Sequence, residues 1–530
     1  MAISFAPFYN GRSPGGRVEL YRKLEKSGSH SSAYSLFPKG VEPYFIMLGF
    51  CLFRTITGLP PSERIEVTYP KRIEISSVLE SSKPGDRVAV SGWIKSLRSS
   101  KNVAFMHIND GSAFDSIQIV LETSLDNYDR LLSLLTGASV FVEGRVRESP
   151  AKGQRIEIVP SRVEIIGECD GSSPVQKAGT SFEFLRTVAH MRPRTNTFGA
   201  VFRMRSALSY AVHSFFNERG FVYVQSPILT TSDCEGAGEM FQVTSLDLNN
   251  LPKNQDGTID YTKDFFSEKC SLTVSGQLEA EILAMSLAKV YTFGPTFRSE
   301  NSNTPRHAAE FWMIEPEFAF SDLEDDIALA EDFVKSLIRY VFDHCERDLR
   351  FFDERIEKGL IDKLREILEA DFAVLEYTEA VKALKESGRS FEYPVQWGES
   401  LQTEHERYIT EEYTKRPSFV INYPRAIKPF YMYCNDDEKT VACFDFLIPR
   451  VGELIGGSQR EHRLDKLILR MKECGMDSKK YGWYMDLRRF GSVPHSGFGL
   501  GFERALMFVT GMTNIRDVCL CPRVPGNAAF

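Results

Sequence analysis

Five short runs of alternating apolar and polar residues, spread over roughly 100 positions between Arg72 and Asp170, limit the folds open to this chain. The runs read RVAVSGWIKSL, VAFMHIND, SIQIVLE, SVFVEGRVRE and RIEIVPSRVEII, with turn signals such as KPGD, NDGS and SPAKGQ near them. Alternation with a period of two predicts half-buried strands. Five such strands, with a polar segment between the third and the fourth, predict a small closed Greek-key barrel of the OB type over residues 69–170. The pattern alone also fits a five-stranded barrel or sandwich without a ligand.

A second, larger domain follows the barrel. From about Ser173 onward, helical and strand patterns alternate over some 350 residues, which predicts an α+β fold. We place this domain at residues 196–530, with a hinge at 171–195 before it and a helical insertion at about 321–417 within it. A basic stretch at its entrance, opposed by Glu183 alone, predicts a solvated helix face or a phosphate-facing hinge. Its members are Arg186, Arg192, Arg194, Arg203 and Arg205.

Residues 1–68 differ from the rest of the chain, because Gly, Ser and Pro interrupt them at short intervals. From Met1 to Arg54 there are seven Lys or Arg residues against three Glu. This composition is compatible with an organellar transit peptide and equally with a poorly ordered leader. No apolar run reaches the ~18 residues that span a bilayer, and the ten cysteines include no CxxC pair. We therefore expect no membrane partner and a cytoplasmic location, unless the leader directs import.

Several common catalytic signatures are missing. There is no GxxxxGKS/T phosphate loop, no GxGxxG that opens a helix after a strand, and no Ser or Cys in a nucleophile-elbow setting. Covalent catalysis through a side chain is therefore not indicated. The net charge of −8 does not argue against nucleic-acid binding, since a local basic patch is what binds phosphates.

Three separated segments do carry a chemical pattern. HSFFNERGFVYVQSPILT predicts a helix that runs into a strand, and VYTFGPTFRSENSNTPRHAAEFWMIEPEFAF predicts a strand, a polar loop and a strand. In HSGFGLGFERALMFV, glycines alternate with large apolar residues before Arg504 begins a helix. Alternating glycines let another backbone or a flat ligand lie against a strand. Each segment alone is a weak signal, and the three in this order are a strong one.

These segments resemble motifs 1, 2 and 3 of the class II aminoacyl-tRNA synthetases. The similarity continues through SDCEGAGEMF, TVSGQLEAE, NYPRAIKPFYM and FDFLIPRVGELIGGSQREHR, and the class I signatures HIGH and KMSKS are absent. Together with the barrel, the segments are similar to the aspartyl/asparaginyl/lysyl branch, and within it to the asparagine-specific members. The resemblance covers the chain from about residue 70 to the C-terminus. It implies an OB-fold anticodon-binding barrel followed by a catalytic domain built on an antiparallel sheet flanked by helices.

The resemblance also implies a reaction and its partners. The chain would activate L-asparagine with ATP to asparaginyl-adenylate, release pyrophosphate, and transfer the amino acid to the 3′ end of tRNA(Asn). Because activation joins two anions, catalysis would consist of alignment and charge neutralisation. A homodimer is implied as well, since the helix and strand of motif 1 usually form the subunit interface of these enzymes.

For ATP, the resemblance assigns one residue set to the polar loop and the glycine strand. Arg298 would bridge the amino-acid carboxylate and the α-phosphate, a task that suits a planar guanidinium. Arg504 would hold the γ-phosphate of a bent ATP and would sandwich the adenine with Phe311. The remaining members of this ATP set are Glu300 and His307, which would hydrogen-bond around the adenine, and Gly501.

Asp445 and Glu453 complete the predicted ATP site. They are hard oxygen ligands eight residues apart, suited to Mg²⁺ that bridges the phosphates. The alternative interpretation is a surface acid pair without a metal.

Amino-acid recognition would involve both ends of the substrate. Glu235 and Gln277 would surround the α-ammonium group, with Ser275 in the same subsite and the CEGAG loop closing over it. Arg298 would bind the carboxylate of the amino acid. Arg460 lies where this branch reads the side-chain carbonyl.

The choice between asparagine and aspartate would depend on the segment QLEAE. Aspartyl enzymes carry a lysine where this chain has Ala280, and Glu281 follows it. Because an ionised carboxylate can only accept hydrogen bonds, Glu281 would pair with the amide NH₂ and repel a second carboxylate. The alternative is that Glu281 only forms a salt bridge with Arg460 and orients it.

In the barrel, the resemblance assigns anticodon reading to three residues. Phe105 would stack on a base, and Gln118 and Glu157 would hydrogen-bond to the central uracil. One aromatic face with edge-reading polar groups is how OB folds read unstacked bases. Taken alone, Phe105 is more typical of a core residue.

Three other functions remain open from the sequence. The first is an aspartyl-tRNA synthetase, of the discriminating or the non-discriminating kind, against which Ala280 argues. The second is a tRNA-independent, AMP-forming asparagine synthetase with the same catalytic fold, which would lack the barrel. The third is a non-catalytic paralogue that only binds tRNA, which the presence of Arg298, Arg504, Asp445 and Glu453 disfavours.

Overall fold

The computed structural model describes residues 71–151, 153–175, 180–234 and 239–530. The chain divides into two units, Met1–Lys71 and Arg72–Phe530. The predicted leader at 1–68 lies outside the described residues. All helices and strands described here belong to the second unit.

The first five strands close into a barrel, which confirms the fold that the alternating pattern predicts. They are β1 (Arg87–Ser99), β2 (Val103–Asn109), β3 (Ile117–Glu122), β4 (Ser139–Glu148) and β5 (Ile156–Gly167), in the order β1-β2-β3-β5-β4. Antiparallel pairing of β1 with β4 closes the ring. Helix α1 (Ile75–Ser81) precedes the barrel, and α2 (Tyr128–Leu132) lies in the polar connection between β3 and β4. Because side chains alternate along a strand, Ala104, Met106 and Ile108 of β2 point inward and are fully buried.

Eleven strands follow the barrel. They are β6 (Val222–Val224), β7 (Leu229–Thr230), β8 (Gln242–Val243), β9 (Cys270–Leu272), β10 (Lys289–Phe297), β11 (Glu310–Ala319), β12 (Ala373–Glu376), β13 (Ser418–Ile421), β14 (Cys443–Ile448), β15 (Gly452–Gln459) and β16 (His495–Gly501). Eight of them form one sheet in the order β12-β13-β14-β15-β16-β11-β10-β6, and β7-β9-β8 form a second sheet. The six central strands of the large sheet are antiparallel, while β12 and β6 pair in parallel at its two edges.

Helices cover this sheet, in agreement with the predicted α+β class. They are α3 (Phe182–Thr187), α4 (Asn196–Glu218), α5 (Gln277–Leu287), α6 (Leu323–His344), α7 (Glu346–Arg355), α8 (Leu360–Glu369), α9 (Tyr377–Glu386), α10 (Thr403–Tyr408), α11 (Leu464–Glu473), α12 (Gly482–Arg489) and α13 (Phe502–Thr510). Phe215 of α4 and Phe333 of α6 are buried with ring centroids 4.9 Å apart, and Phe333 lies 6.1 Å from Phe498 of the sheet. Within the described ranges, no helix is long and apolar enough to cross a membrane.

The predicted helical insertion at about 321–417 is not helical throughout. It holds α6 to α10 and the π-helix Ile409–Tyr413, and it also supplies β12 to the edge of the large sheet. Strand β12 has only four residues, which are too few for their periodicity to distinguish a strand from a helix. Its pairing with β13 is what shows that it is a strand.

Most of the basic stretch at the domain entrance is paired within the protein. Four of its five arginines hold other parts of the same domain. Arg186 pairs with Asp517, Arg203 with Asp348 and Arg205 with Glu503, and Arg192 donates to backbone carbonyls of the C-terminal segment. Arg192 is fully buried. A solvated helix face was the wrong prediction for these four residues, because their partners come from segments more than 100 residues away. Arg194 is exposed.

Helix α6 carries its own start signal. The Asp322 side chain accepts hydrogen bonds from the backbone N–H groups of Glu324 and Asp325. The Asp325 side chain in turn accepts a hydrogen bond from the backbone N–H of Asp322. This capping box satisfies N–H groups that a helix terminus leaves open.

We expect Asp322→Ala to lower the free energy of unfolding by about 1 kcal/mol, because it removes this cap. Thermal unfolding checks the change, and Asp322→Asn is the matched control, since an amide oxygen can also cap. Equal losses in both variants would contradict a capping role.

Candidate active site

A cavity of about 160 Å³ opens above the centre of the large sheet. Seven of the eight residues predicted to bind ATP line it: Arg298, Glu300, His307, Phe311, Glu453, Gly501 and Arg504. Asp445, the eighth, is not part of its wall. The residues come from β10, β11, β15 and β16 and the segments that follow them, so the antiparallel order of these strands is what gathers them.

Arg298 and Phe311 face each other across the β10–β11 pair. The Arg298 backbone N–H donates to the carbonyl of Ala309 at 3.0 Å, which extends the ladder beyond β10. The Arg298 guanidinium lies 5.5 Å from the centroid of the Phe311 ring. The aromatic face of Phe311 is suited to stacking on a base, and the forked guanidinium of Arg298 is suited to binding a phosphate.

Arg504 stands at the first turn of α13 and reaches back to β15. Its Nη1 donates to the Glu453 carbonyl at 3.0 Å and lies 3.4 Å from Glu453 Oε2. Burial and the positive charge of Arg504 lower the pKa of His307, so this imidazole is neutral at neutral pH. The neutral ring, whose Nδ1 contacts Thr304, provides hydrogen bonds without adding charge.

Asp445 and Glu453 belong to the β14–β15 hairpin. A side-chain carbon placed on Gly456 would lie 3.3 Å from Glu453 Oε1 and 3.8 Å from Asp445 Oδ1, so both carboxylates border the space that this glycine leaves. Lys428 Nζ binds both oxygens of Asp445, at 2.8 and 3.0 Å. Burial would raise the pKa of Glu453, but the cations Arg504 and Lys428 lower it overall.

This pair fits a magnesium ion that shares its coordination with phosphates, because Mg²⁺ needs only one or two protein carboxylates in such sites. No group of three or more His, Cys, Asp and Glu side chains is arranged to hold a metal by itself in the described part of the chain.

Glu406 of α10 is a neighbour that the sequence did not predict. Its Oε2 accepts the backbone N–H of Glu453 at 3.2 Å. Burial, together with the negative charge of Glu453, raises the pKa of Glu406 to about 7. The side chain reaches Glu453 because Gly452, at φ +80°, has no side chain to exclude it. Glu406 therefore anchors the start of β15, and no local pattern marks it.

On the amino-acid side, Ser275, Gln277, Glu281 and Arg460 are all buried. Glu235 lies outside the described residues. Ser275 is held through its hydroxyl, which donates to Glu315. Gln277 begins α5, and its Nε2 donates to Glu281 Oε1 at 3.2 Å.

Glu315 orders this subsite, although the sequence did not single it out. Its Oε2 accepts the backbone N–H of Gly276 and the hydroxyl of Thr292, both at 2.9 Å. The signal that could have found it is the run MIEPEF, where two acidic residues alternate within a buried strand. A charge on the core face of a strand needs a partner or a ligand.

Glu281 is fully buried and its carboxylate is surrounded by donors. Arg488 Nη2 lies 2.6 Å from Oε2, His495 Nε2 lies 3.0 Å from it, and the Tyr484 hydroxyl lies 2.9 Å from each oxygen. Although burial would raise it, Arg488 and His495 hold the pKa of Glu281 below its usual range.

Arg460 has a different partner from the one that the sequence suggested. Its Nε and Nη2 donate to the two oxygens of Glu317 at 3.1 and 2.5 Å, and Nη1 donates to Ser458 at 2.8 Å. The alternative reading of Glu281, a salt bridge that orients Arg460, is therefore wrong, because Glu317 fills that position.

The predicted anticodon residues lie on the barrel strands outside the hydrophobic core, and Gln118 and Glu157 are themselves buried. Gln118 Nε2 donates to Glu157 Oε2 at 2.7 Å, and Arg147 binds the other Glu157 oxygen through Nε at 2.9 Å and Nη2 at 2.5 Å. His107 pairs with Gln118 across β2 and β3, and Phe105 lies two residues from His107. Phe105 therefore shares the face of Gln118 and is half-buried, outside the barrel core. The core alternative for Phe105 is wrong.

Two family models match the chain. The model described as tRNA synthetases class II (D, K and N) matches residues 182–525. The model described as OB-fold nucleic acid binding domain matches residues 88–166.

Curated relatives and solved structures resemble almost the whole described chain. The asparagine–tRNA ligase of Geotalea uraniireducens (strain Rf4) is 56% identical over 459 residues, which are 87% of this chain and 99% of the relative. That of Synechocystis sp. (strain ATCC 27184 / PCC 6803 / Kazusa) is 55% identical over 86% of this chain and 99% of the relative. The crystal structure of asparaginyl-tRNA synthetase from Pyrococcus horikoshii complexed with asparaginyl-adenylate superposes with a TM-score of 0.76 at 31% identity. It covers 87% of this chain and 100% of that chain.

Proposed function

The chain belongs to the class II tRNA synthetases of the aspartate, lysine and asparagine group, and we propose that it ligates L-asparagine to tRNA(Asn) with ATP. The chain matches asparagine–tRNA ligases at 55–56% identity over almost the full length of these relatives. The observation that carries the choice of amino acid is the buried pocket around Ala280 and Arg460. It holds no lysine at the position where aspartyl enzymes carry one.

The reaction follows from the two halves of the site. Asparagine enters the closed half with its side chain toward Arg460, and ATP occupies the open cavity. Arg298 lies on the strand end between the two halves, where one guanidinium can contact both the carboxylate and the α-phosphate. The asparagine carboxylate then attacks the α-phosphorus, and the bond to the β-phosphate oxygen breaks to release pyrophosphate. No protein nucleophile is required, since alignment and charge neutralisation lower the barrier.

Mg²⁺ would be held by Glu453, with Asp445 beside it, and would supply positive charge to the phosphates. Glu453 is the more accessible of the two carboxylates, with 41% of its side chain exposed against 18% for Asp445. Lys428 forms an ion pair with Asp445.

We also propose a homodimer and a cytoplasmic location. Motif 1 corresponds to α4 and β6, and β6 is an edge strand. Tyr210, Val222 and Tyr223 on these elements are exposed by 65%, 45% and 47%, which is the kind of apolar surface that a second subunit covers.

The direct test is amino-acid-dependent pyrophosphate exchange and tRNA charging, run with asparagine and with aspartate. We expect activity with asparagine and little with aspartate. Activity with aspartate and little with asparagine would indicate an aspartyl enzyme, and aspartate activation without tRNA charging would indicate the tRNA-independent asparagine synthetase. Absence of both reactions would indicate the non-catalytic paralogue.

We expect Arg298→Ala and Arg504→Ala each to reduce pyrophosphate exchange about a hundred- to thousand-fold, because each removes a cation aimed at developing negative charge. Thermal unfolding should stay close to that of the wild type, since both side chains line a cavity. Arg130→Ala, which removes an arginine that is 67% exposed on the barrel, is the matched control. Near-normal exchange in either site variant would remove the ATP assignment.

We expect Phe105→Ala to lower kcat/KM for tRNA charging while pyrophosphate exchange is unchanged, because activation precedes anticodon reading. Loss of one base stack is worth about 1–3 kcal/mol. Phe105→Tyr keeps the aromatic face and should retain charging. A parallel loss of both reactions in Phe105→Ala would show that Phe105 supports the fold instead.

A further inference from the structure

The loop between β2 and β3, residues 110–116, brings one aromatic side chain of the barrel, Phe114, to the catalytic domain. The two strands that it joins carry predicted anticodon residues, Phe105 on β2 and Gln118 on β3. The Phe114 ring packs against the hydrophobic core of the catalytic domain and not against that of the barrel. One loop therefore connects the anticodon face to the other domain.

The contacts of the Phe114 ring come from α4 and α7 of the catalytic domain. Its centroid lies 5.0 Å from that of Phe351 on α7, with the two ring planes at 42°. The Arg203 guanidinium of α4 lies 5.8 Å from the Phe114 centroid. Arg203 is itself fixed, because its Nε and Nη2 bind both oxygens of Asp348 at 3.0 and 2.7 Å. Aromatic and cation–π contacts prefer defined geometries, so they fix an orientation as well as bury area.

The barrel itself fixes the shape of the loop that carries Phe114. Asn109, at the end of β2, is 6% exposed, and its Nδ2 donates to the carbonyls of Ala113 and Asp115, both at 3.0 Å. Its Oδ1 accepts the backbone N–H of Gly111 at 2.8 Å. One buried amide thus satisfies backbone groups at both ends of the loop. Because these bonds all lie within the barrel, the loop and the barrel move together, and holding Phe114 holds the barrel.

Two polar contacts accompany Phe114 across the same boundary. Arg347 Nε lies 3.3 Å from Asp115 Oδ2, but these side chains are 68% and 46% exposed. Exposed ion pairs contribute little, because water screens them and both side chains lose freedom. Lys95 Nζ of β1 donates to the Arg194 carbonyl at 2.8 Å. One hydrogen bond from a flexible side chain holds a distance and not an orientation, so the Phe114 ring is the contact that orients the barrel.

We infer that Phe114 is a positioning residue for tRNA charging: it sets the orientation of the barrel so that one tRNA reaches the anticodon face and the catalytic cavity together. The inference rests on the proposed function. A tRNA presents its anticodon and its 3′ end at opposite ends of the molecule, so it binds as a bivalent ligand. Binding at the second site gains from the first only when the geometry allows both at once. A small rotation of the barrel is magnified over that length.

This role separates three measurable steps. Pyrophosphate exchange needs only the catalytic cavity, and binding of a short anticodon stem-loop RNA needs only the barrel. Charging of full-length tRNA needs both sites in the correct relative orientation. Phe105 acts in the second step, through base stacking, and therefore also in the third. Phe114 acts in the third step alone.

Phe114→Ala tests the inference in the full-length chain. We expect kcat/KM for charging of tRNA(Asn) to fall about ten- to a hundredfold through a higher KM for tRNA, because linking two sites raises affinity about a hundredfold or more. Pyrophosphate exchange should stay close to that of the wild type. The Kd of the anticodon stem-loop, measured by fluorescence anisotropy, should also stay unchanged. Phe114→Tyr keeps the ring and should restore charging.

Phe342→Ala is the matched control. Phe342 of α6 is also half-buried against the core of the catalytic domain, and the Arg365 guanidinium lies 5.7 Å from its ring centroid. Phe342 and Arg365 both belong to the catalytic domain, so this substitution removes a similar contact without freeing the barrel. The KM for tRNA should not change. An equal rise of this KM in Phe342→Ala would overturn the inference.

A second variant approaches the contact from the other domain. Phe351→Ala removes the ring against which Phe114 packs and should raise the KM for tRNA in the same way. Because both substitutions remove one shared contact, the double variant should be little worse than either single variant. Additive losses would show that the two rings act separately and would overturn the inference.

A merely structural role gives a different pattern. If Phe114 only supported the fold of the barrel, Phe114→Ala would weaken binding of the anticodon stem-loop, as Phe105→Ala should. If it only supported the catalytic domain, pyrophosphate exchange would fall as well. Either result, or normal charging in Phe114→Ala, would overturn the inference.

The same data separate this inference from the proposed function. If the wild type does not charge tRNA(Asn) with asparagine, the proposed function fails before any variant is compared. If the wild type charges it and Phe114→Ala charges it equally well, only the inference fails.

Discussion

Pairing of buried arginines with carboxylates is the constraint on which the rest of the catalytic domain depends. Arg460 and Arg488 are almost fully buried, and an unpaired charge at such depth would cost several kcal/mol. Their partners, Glu317 and Glu281, are more than 140 residues away along the chain. Only the order β15-β16-β11 and the position of α5 beside α12 bring them together. The strand order of the sheet is therefore what allows these buried charges of the pocket to pair.

The two halves of the site show opposite uses of charge. On the amino-acid side, the buried Arg460 and Arg488 each have a carboxylate partner, Glu317 and Glu281 respectively. On the phosphate side, Arg504 and Arg306 line an open cavity. Burial lowers the pKa of Arg306, and the positive charge of Arg504 lowers it further. Two neighbouring cations in one wall are stabilised when a polyanion enters. One half thus suits a small polar side chain, and the other suits ATP.

Sequence reasoning succeeded where the signal is local. Alternation with a period of two predicts the barrel, and seven of the residues predicted to bind ATP line one cavity. It could not predict the partners that act across the sheet. Glu317 and Arg460 are 143 residues apart, and neither local sequence indicates that the other residue is its partner. For the same reason, the basic stretch around Arg192 looked like a surface, although its partners lie in the C-terminal segment.

The environment of Glu281 changes how discrimination between asparagine and aspartate is understood. An ionised carboxylate has about four lone-pair sites, and Gln277, Tyr484, Arg488 and His495 already lie within hydrogen-bond distance of them. A substrate amide would have to displace one of these donors to be read directly.

Ala280 bears on the same discrimination between asparagine and aspartate. The aspartyl enzymes that the sequence resembles carry a lysine at this position, next to the residue that corresponds to Glu281. A lysine there would change the pocket by one positive charge, and aspartate differs from asparagine by one negative charge. Ala280 therefore leaves this pocket without a cation that could pair with the carboxylate of aspartate.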